Sequence, residues 1–150
     1  MKDVIISIVG TQNPDQADSD SVELVTDGKY DYSPTGETKL YYSESELTGL
    51  EGTTTSFTVN PMGGIVMSRE GKTNTCMVFE QGKKHYFLYD TPFGSATMGV
   101  DTSRIRSALN EHGGDMEIDY TVDFEHAVIG RNNFKINIRE AKGGSTACQI

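Results

Sequence analysis

Tryptophan is missing from these 150 residues, and cysteine (2), histidine (3) and proline (4) are scarce. The two cysteines, Cys76 and Cys148, stand far apart with no framework spacing, so a disulfide scaffold is excluded and both read as reduced thiols. No HxxxH or HxH pair exists, and a zinc site would need three ligands from distant strands. Basic residues are the minority charge, 13 against 22 acidic, for a formal net charge of −9. Repulsion at that charge argues against nucleic acid as a partner. No apolar run could span a bilayer, and the segment 4–9, preceded by Lys2 and Asp3, is too short and too early-charged for a signal peptide. The expectation is a cytoplasmic chain with no membrane partner. Nucleophilic and phosphate chemistry lack their motifs as well: there is no GxSxG and no glycine-rich loop of phosphate-binding spacing.

What the chain has is alternation. Met116, Ile118, Tyr120, Val122 and Phe124 alternate with Glu117, Asp119, Thr121, Asp123 and Glu125. This is the period-2 signature of a strand with one apolar face. After a turn over residues 129–133, Phe134, Ile136 and Ile138 alternate with Lys135, Asn137 and Arg139. The outward faces, acidic on one strand and basic on the next, suit an antiparallel pair.

The rest of the chain reads the same way. Strands are expected over residues 3–11, 22–27 (extending toward Tyr30), 38–44, 53–59, 65–69, 73–79, 84–90 and 95–100, with turn residues between them. Residues 102–109 fit either a short helix with Ile105 and Leu109 four apart, or a strand alternating Ile105, Ser107 and Leu109. The glycines at 113 and 114 and the long strand after them favour strand. The acidic stretch 12–20 has nothing to bury and reads as a surface loop. The segment 45–52 carries two leucines among glycines and carboxylates, and is expected as a compact loop folded over one end of the sheet. One domain over residues 1–140 is expected, followed by a flexible tail, 141–150. A domain of this length buries roughly 68–70% of its unfolded surface, so its core needs no staples. Roughly ten strands without a long crossover point to an all-β fold: a closed or nearly closed antiparallel up-and-down β-barrel of about 8–10 strands. At about eight strands such a barrel holds side chains or one small ligand.

Five segments carry a resemblance. They are residues 44–55 (ESELTGLEGTTT), residues 77–85 (MVFEQGKKH), residues 89–94 (YDTPFG) with Met98 and Gly99, Ile118-Asp119-Tyr120 with His126, and residues 130–134 (GRNNF). In this order they resemble the YwiB-like family of uncharacterised bacterial proteins. The resemblance implies a calycin-like barrel, lipocalin-like in shape, in the cytoplasm of Gram-positive bacteria. It brings no activity with it.

Candidate site residues follow from parity. His126 shares the parity of the apolar face of 116–124 and is expected inward if the strand extends that far, while His85 shares a face with Phe87 and Tyr89. An inward histidine can serve as acid, base or ligand, although its ordinary fate is simply a hydrogen-bond partner. His112 falls in a polar turn. Glu44 and Glu46 have the parity of Leu40 and Tyr42, which puts them near the barrel rim, with Glu51 across the loop. Such carboxylates could do paired acid/base work, but more ordinarily they pair with Arg69, Lys84 or Arg131. Arg69 has the parity of Ile65 and Met67, and Tyr42, Tyr89 and Tyr120 fall on apolar faces. Arginine with tyrosine on an inward face is what a carboxylate-binding barrel needs, against the alternative that Arg69 snorkels into water at its turn. The ligand-binding set expected from sequence is thus Tyr42, Glu46, Glu51, Arg69, His85, Tyr120, His126 and Arg131. The leading functional reading is a barrel that binds a small amphipathic or anionic molecule. A side-chain-filled barrel acting as an interaction scaffold is the alternative. An enzyme using His85 or His126 with Glu46 or Glu51 comes third. No metal and no cofactor is called for, and the chain is expected as a monomer or homodimer.

Overall fold

Alternation becomes ten strands: β1 (Lys2–Gln12), β2 (Asp20–Asp31), β3 (Thr38–Ser43), β4 (Thr54–Val59), β5 (Ile65–Glu70), β6 (Thr75–Phe79), β7 (Lys83–Thr91), β8 (Gly94–Asn110), β9 (Gly113–Phe124) and β10 (Ala127–Glu140). The computed structural model describes residues 2–13, 20–44, 52–71, 74–91 and 93–141. The strands form one antiparallel sheet in the order β6-β5-β4-β3-β2-β1-β10-β9-β8-β7. Every neighbour in that order is also a neighbour in sequence except β1 and β10, which pair from Val4↔Glu140 to Gln12↔Asn132. First and last strands therefore close the up-and-down barrel, and its seam lies between β6 and β7, which share no ladder. Around that seam the ends curl together. Lys83 N donates to Glu80 O at 3.0 Å, and Phe79 of β6 meets Tyr120 of β9 edge-on at 5.0 Å across the interior.

Inward parity builds the core. Val4, Ile6 and Ile8 of β1, Leu40 and Tyr42 of β3, Phe57 of β4, Ile65 and Met67 of β5, and Met116, Ile118, Tyr120 and Val122 of β9 are all buried. The outward faces of β9 and β10 are complementary, as their charges suggested. Glu117 stands opposite Lys135, and Asn137 Nδ2 donates to Asp115 Oδ1 at 2.8 Å. Asp119 faces outward yet is buried, because Arg104 Nη2 lies 2.8 Å from its Oδ2 and Asn133 Nδ2 2.7 Å from its Oδ1.

The ambiguous segment 102–109 is strand, continuous with the one before it in the 17-residue β8. A bulge explains the ambiguity: Thr102 pairs with Tyr120 and Arg104 with Asp119, leaving Ser103 as the extra residue. The inward set therefore moves from even numbers (Ala96, Val100, Thr102) to odd ones (Ile105, Leu109), and no single alternation spans the strand. The β8–β9 hairpin closes on Gly113 and Gly114 at φ 125° and 137°, where a Cβ would stand 2.2 Å from Ile138 O and 2.0 Å from Ala108 O. Only glycine fits there.

Candidate functional site

In the up-and-down order the C-terminal ends of β1, β3, β5, β7 and β9 lie at one end of the barrel. Beneath them the inward rows stop short of filling the interior, leaving a cavity of about 360 Å³. Met77, Phe87, Met98 and Val122 wall it with apolar surface. Arg69 and Tyr120 bring polar groups to it from the inward rows, and Gln12, Asn13, Thr75 and Asn132 add polar lining. Arg131 touches it too, but stands opposite Thr121 on the outward row and is exposed. A second bulge shapes the mouth. Register slips between Val128 and Gly130 of β10, so Ile129 leaves the ladder and joins the cavity lining. Three other depressions are larger. Those of about 510 and 670 Å³ are lined chiefly by outward-facing side chains such as Arg106 and Lys135 or Asp27 and Lys29 on the barrel's flank. One of about 520 Å³ between β5–β6 and β7 shares Arg69, Thr75 and Phe87 with the cavity.

The polar end of the cavity is built from three neighbouring strands. Arg69 follows Ile65 and Met67 on the inward row of β5, opposite Thr55 of β4. Glu44, one residue past β3, continues the row of Leu40 and Tyr42 and holds the chain in line by donating its N–H to Thr53 O at 2.8 Å. Its side chain is 2% exposed, with Oε2 accepting a hydrogen bond from Thr55 Oγ1 and lying 4.0 Å from Arg69 Nε. That Nε is buried and has no hydrogen-bond partner. Tyr42 hydrogen-bonds to the same cluster. Burial, then the negative charge of Glu44, pushes its phenol well above the ordinary range. Burial likewise pushes Tyr120 up to about 12, against the opposing pull of Arg69. Tyr120 is fixed by Phe79 on one side and by Phe134, at 5.7 Å, on the other.

Two of the residues expected from sequence, Arg69 and Tyr120, thus come together inside one cavity, which Arg131 touches from the outward row, and Tyr42 stands behind them through Glu44 and Thr55. His85 does not join them. It is half-buried near the opposite end, where its Nε2 lies 3.0 Å from Glu80 Oε1. His126 is a correction. It is exposed, not inward, because β9 ends at Phe124 and the chain reverses through Glu125 and His126 in left-handed conformation, φ 50° and 70°. There its ring lies edge-on to Tyr86 at 6.2 Å. Phe124, on the same apolar row, is 40% exposed at the rim. Glu46 and Glu51 lie outside the described residues, as does the tail after Ala141. Glu44 is the member that the expected ligand-binding set left out. Its parity with Tyr42 was the available signal, and its pairing with Arg69 is one that the sequence had suggested for the rim carboxylates. Among the described residues no group of three or more His, Cys, Asp and Glu could hold a metal ion. Among them, too, no helix is long and apolar enough to cross a membrane.

Fold and cavity together define a class: a ten-stranded, nearly closed antiparallel β-barrel with an arginine-bearing pocket at one end. Residues 6–136 match the family described as a domain of unknown function (DUF1934), and the chain belongs to that family. It is similar in fold to the crystal structure of the ywiB protein from Bacillus subtilis, with a TM-score of 0.78 and 22% identity over 93% of this chain and 92% of that one. No curated protein matches it.

Proposed function

We propose that this protein binds a small amphipathic anion at the open end of its barrel. The observation that carries the reading is the meeting of Arg69, whose buried Nε has no hydrogen-bond partner, with Tyr120 on a cavity walled largely by Met77, Phe87, Met98 and Val122, in a chain of net charge −9. An arginine drawn inward against that acidic surplus suits an anionic head group, and Met77, Phe87 and Met98 suit an apolar body. A volume of about 360 Å³ is well above what a filled barrel would leave, and falls at the small end of ligand pockets, roughly 300–1,000 Å³. Native mass spectrometry of protein purified from its own host tests this. A small anionic adduct is expected on the wild type. Arg69→Gln should weaken binding of that molecule by about tenfold or more, the usual worth of a charge-assisted hydrogen bond. A wild type that carries no adduct and takes up no amphipathic anion would contradict the reading.

A second reading, a scaffold that binds another protein, is favoured by Tyr86 and Leu88, which are 55% and 67% exposed on the outer face of edge strand β7. Alanine at both positions should then abolish association with the partner while leaving the adduct unchanged.

A further inference from the structure

Resting on the ligand-binding reading, we infer that the ligand enters and leaves through the seam between β6 and β7, and not through the end of the barrel. Two hollows meet at this seam. The interior cavity touches Thr75 on the edge of β6 and Phe87 on the edge of β7, and so does the outer depression of about 520 Å³. No ladder joins the two strands, so backbone hydrogen bonds do not cross the passage between Thr75 and Phe87. Arg69, which pairs with Thr75 from β5, lines both hollows as well. The arginine that suits the head group therefore stands at the inner end of a side passage. Cys76 and Leu88, both exposed, form its outer lips.

Side-chain parity keeps this passage open. Residues directly opposite each other in an antiparallel pair lie on the same face of the sheet. Lys83 N donates to Glu80 O across a turn centred on Gln81 and Gly82, and a two-residue hairpin continued from it would set Phe79 opposite Lys84. Phe79 is fully buried in the interior, whereas Lys84 is exposed and pairs with Asp123, which alternates with the inward Val122. The two cannot share a face, so the strands leave the turn without a ladder. Each is held from its other side instead, β6 by β5 from Ile65↔Phe79 to Arg69↔Thr75, and β7 by β8 from Lys83↔Thr102 to Thr91↔Gly94. Widening the seam thus breaks no ladder, whereas parting any other two neighbouring strands would.

A staple across the seam tests this. In a Cys148→Ser background, Leu88→Cys supplies a thiol on the β7 lip of the depression that the native Cys76 lines from β6, and bismaleimidoethane joins the two. The same protein before stapling is the reference. Stopped-flow fluorescence with anilinonaphthalene sulfonate, an amphipathic anion, reads both rate constants. Association and dissociation should each slow by about tenfold or more on stapling with the equilibrium affinity unchanged, because a blocked passage raises the barrier and leaves both end states alone. A bulky maleimide on Ile129→Cys, at the end of the barrel in a Cys76→Ser/Cys148→Ser background, should alter neither rate. Unchanged rates after stapling, or slowing by the Ile129 label in their place, overturn entry through the seam and leave the pocket standing. Weaker affinity with unchanged dissociation overturns it too, since a passage shared by entry and exit slows both. A folded wild type that binds neither this sulfonate nor octanoate removes the underlying ligand-binding reading.

Discussion

Three tyrosines carry the pH dependence of this barrel. Tyr30 is 1% exposed, its hydroxyl donates to Asn110 O at 2.7 Å, and burial pushes its phenol up to about 12. Tyr120 reaches about 12 as well, and Tyr42 shifts the same way. A phenol whose folded pKa lies above its ordinary value of 10.0 keeps its proton in the native state after the unfolded chain has lost it. Its contribution to stability is thus fully present below about pH 10 and is lost as the pH rises toward about 12. The urea midpoint should fall between pH 9 and pH 11, and Tyr30→Phe should flatten that fall. A midpoint that rises over the interval would contradict the burial of these rings. At the same scale, Phe57 is 2% exposed and packs into the filled part of the barrel. Phe57→Ala should cost about 3–5 kcal/mol in chemical denaturation.

Seen as elements, the strands differ in how they are held. β1 and β10 are paired on both sides, whereas β6 and β7 each have one unpaired edge at the seam. Amide hydrogen exchange should accordingly be fastest in β6 and β7 and slowest in β1 and β10, and uniform protection across all ten would argue for a fully closed ladder. Legibility from sequence also divides by element. The run 116–124 and the row 134–138 read as strands directly, because alternation there is unbroken and one face is buried. Residues 102–109 read ambiguously, because the bulge at Ser103 inverts the parity midway through β8. His126 misled for a related reason: alternation counted past Phe124 enters a reversal that period 2 cannot foresee. Arg69 and Tyr120 were visible as inward polar residues. The weight of Glu44 was not, since it depends on Thr55 and Arg69, which only the β3–β4–β5 registers bring beside it.

Taken whole, the molecule is a cylinder packed solid over most of its length and hollow at one end. Phe57, Phe79, Leu40, Met67 and Ile118 fill the interior, and the cavity begins where Arg69 and Tyr120 replace aliphatic residues on the same rows. Surplus negative charge on the whole chain makes the inward position of Arg69 at that end the feature on which the functional reading depends. The side-chain Nε–H of Arg69, buried and without a hydrogen-bond partner, reports on this site directly. Its resonance, followed by proton–nitrogen NMR while octanoate is added, should shift progressively, together with the backbone amides of Thr75 and Gly130 on the cavity wall. An unmoved Arg69 signal, or shifts confined to the flank around Arg106 and Lys135, would contradict a ligand site inside the barrel.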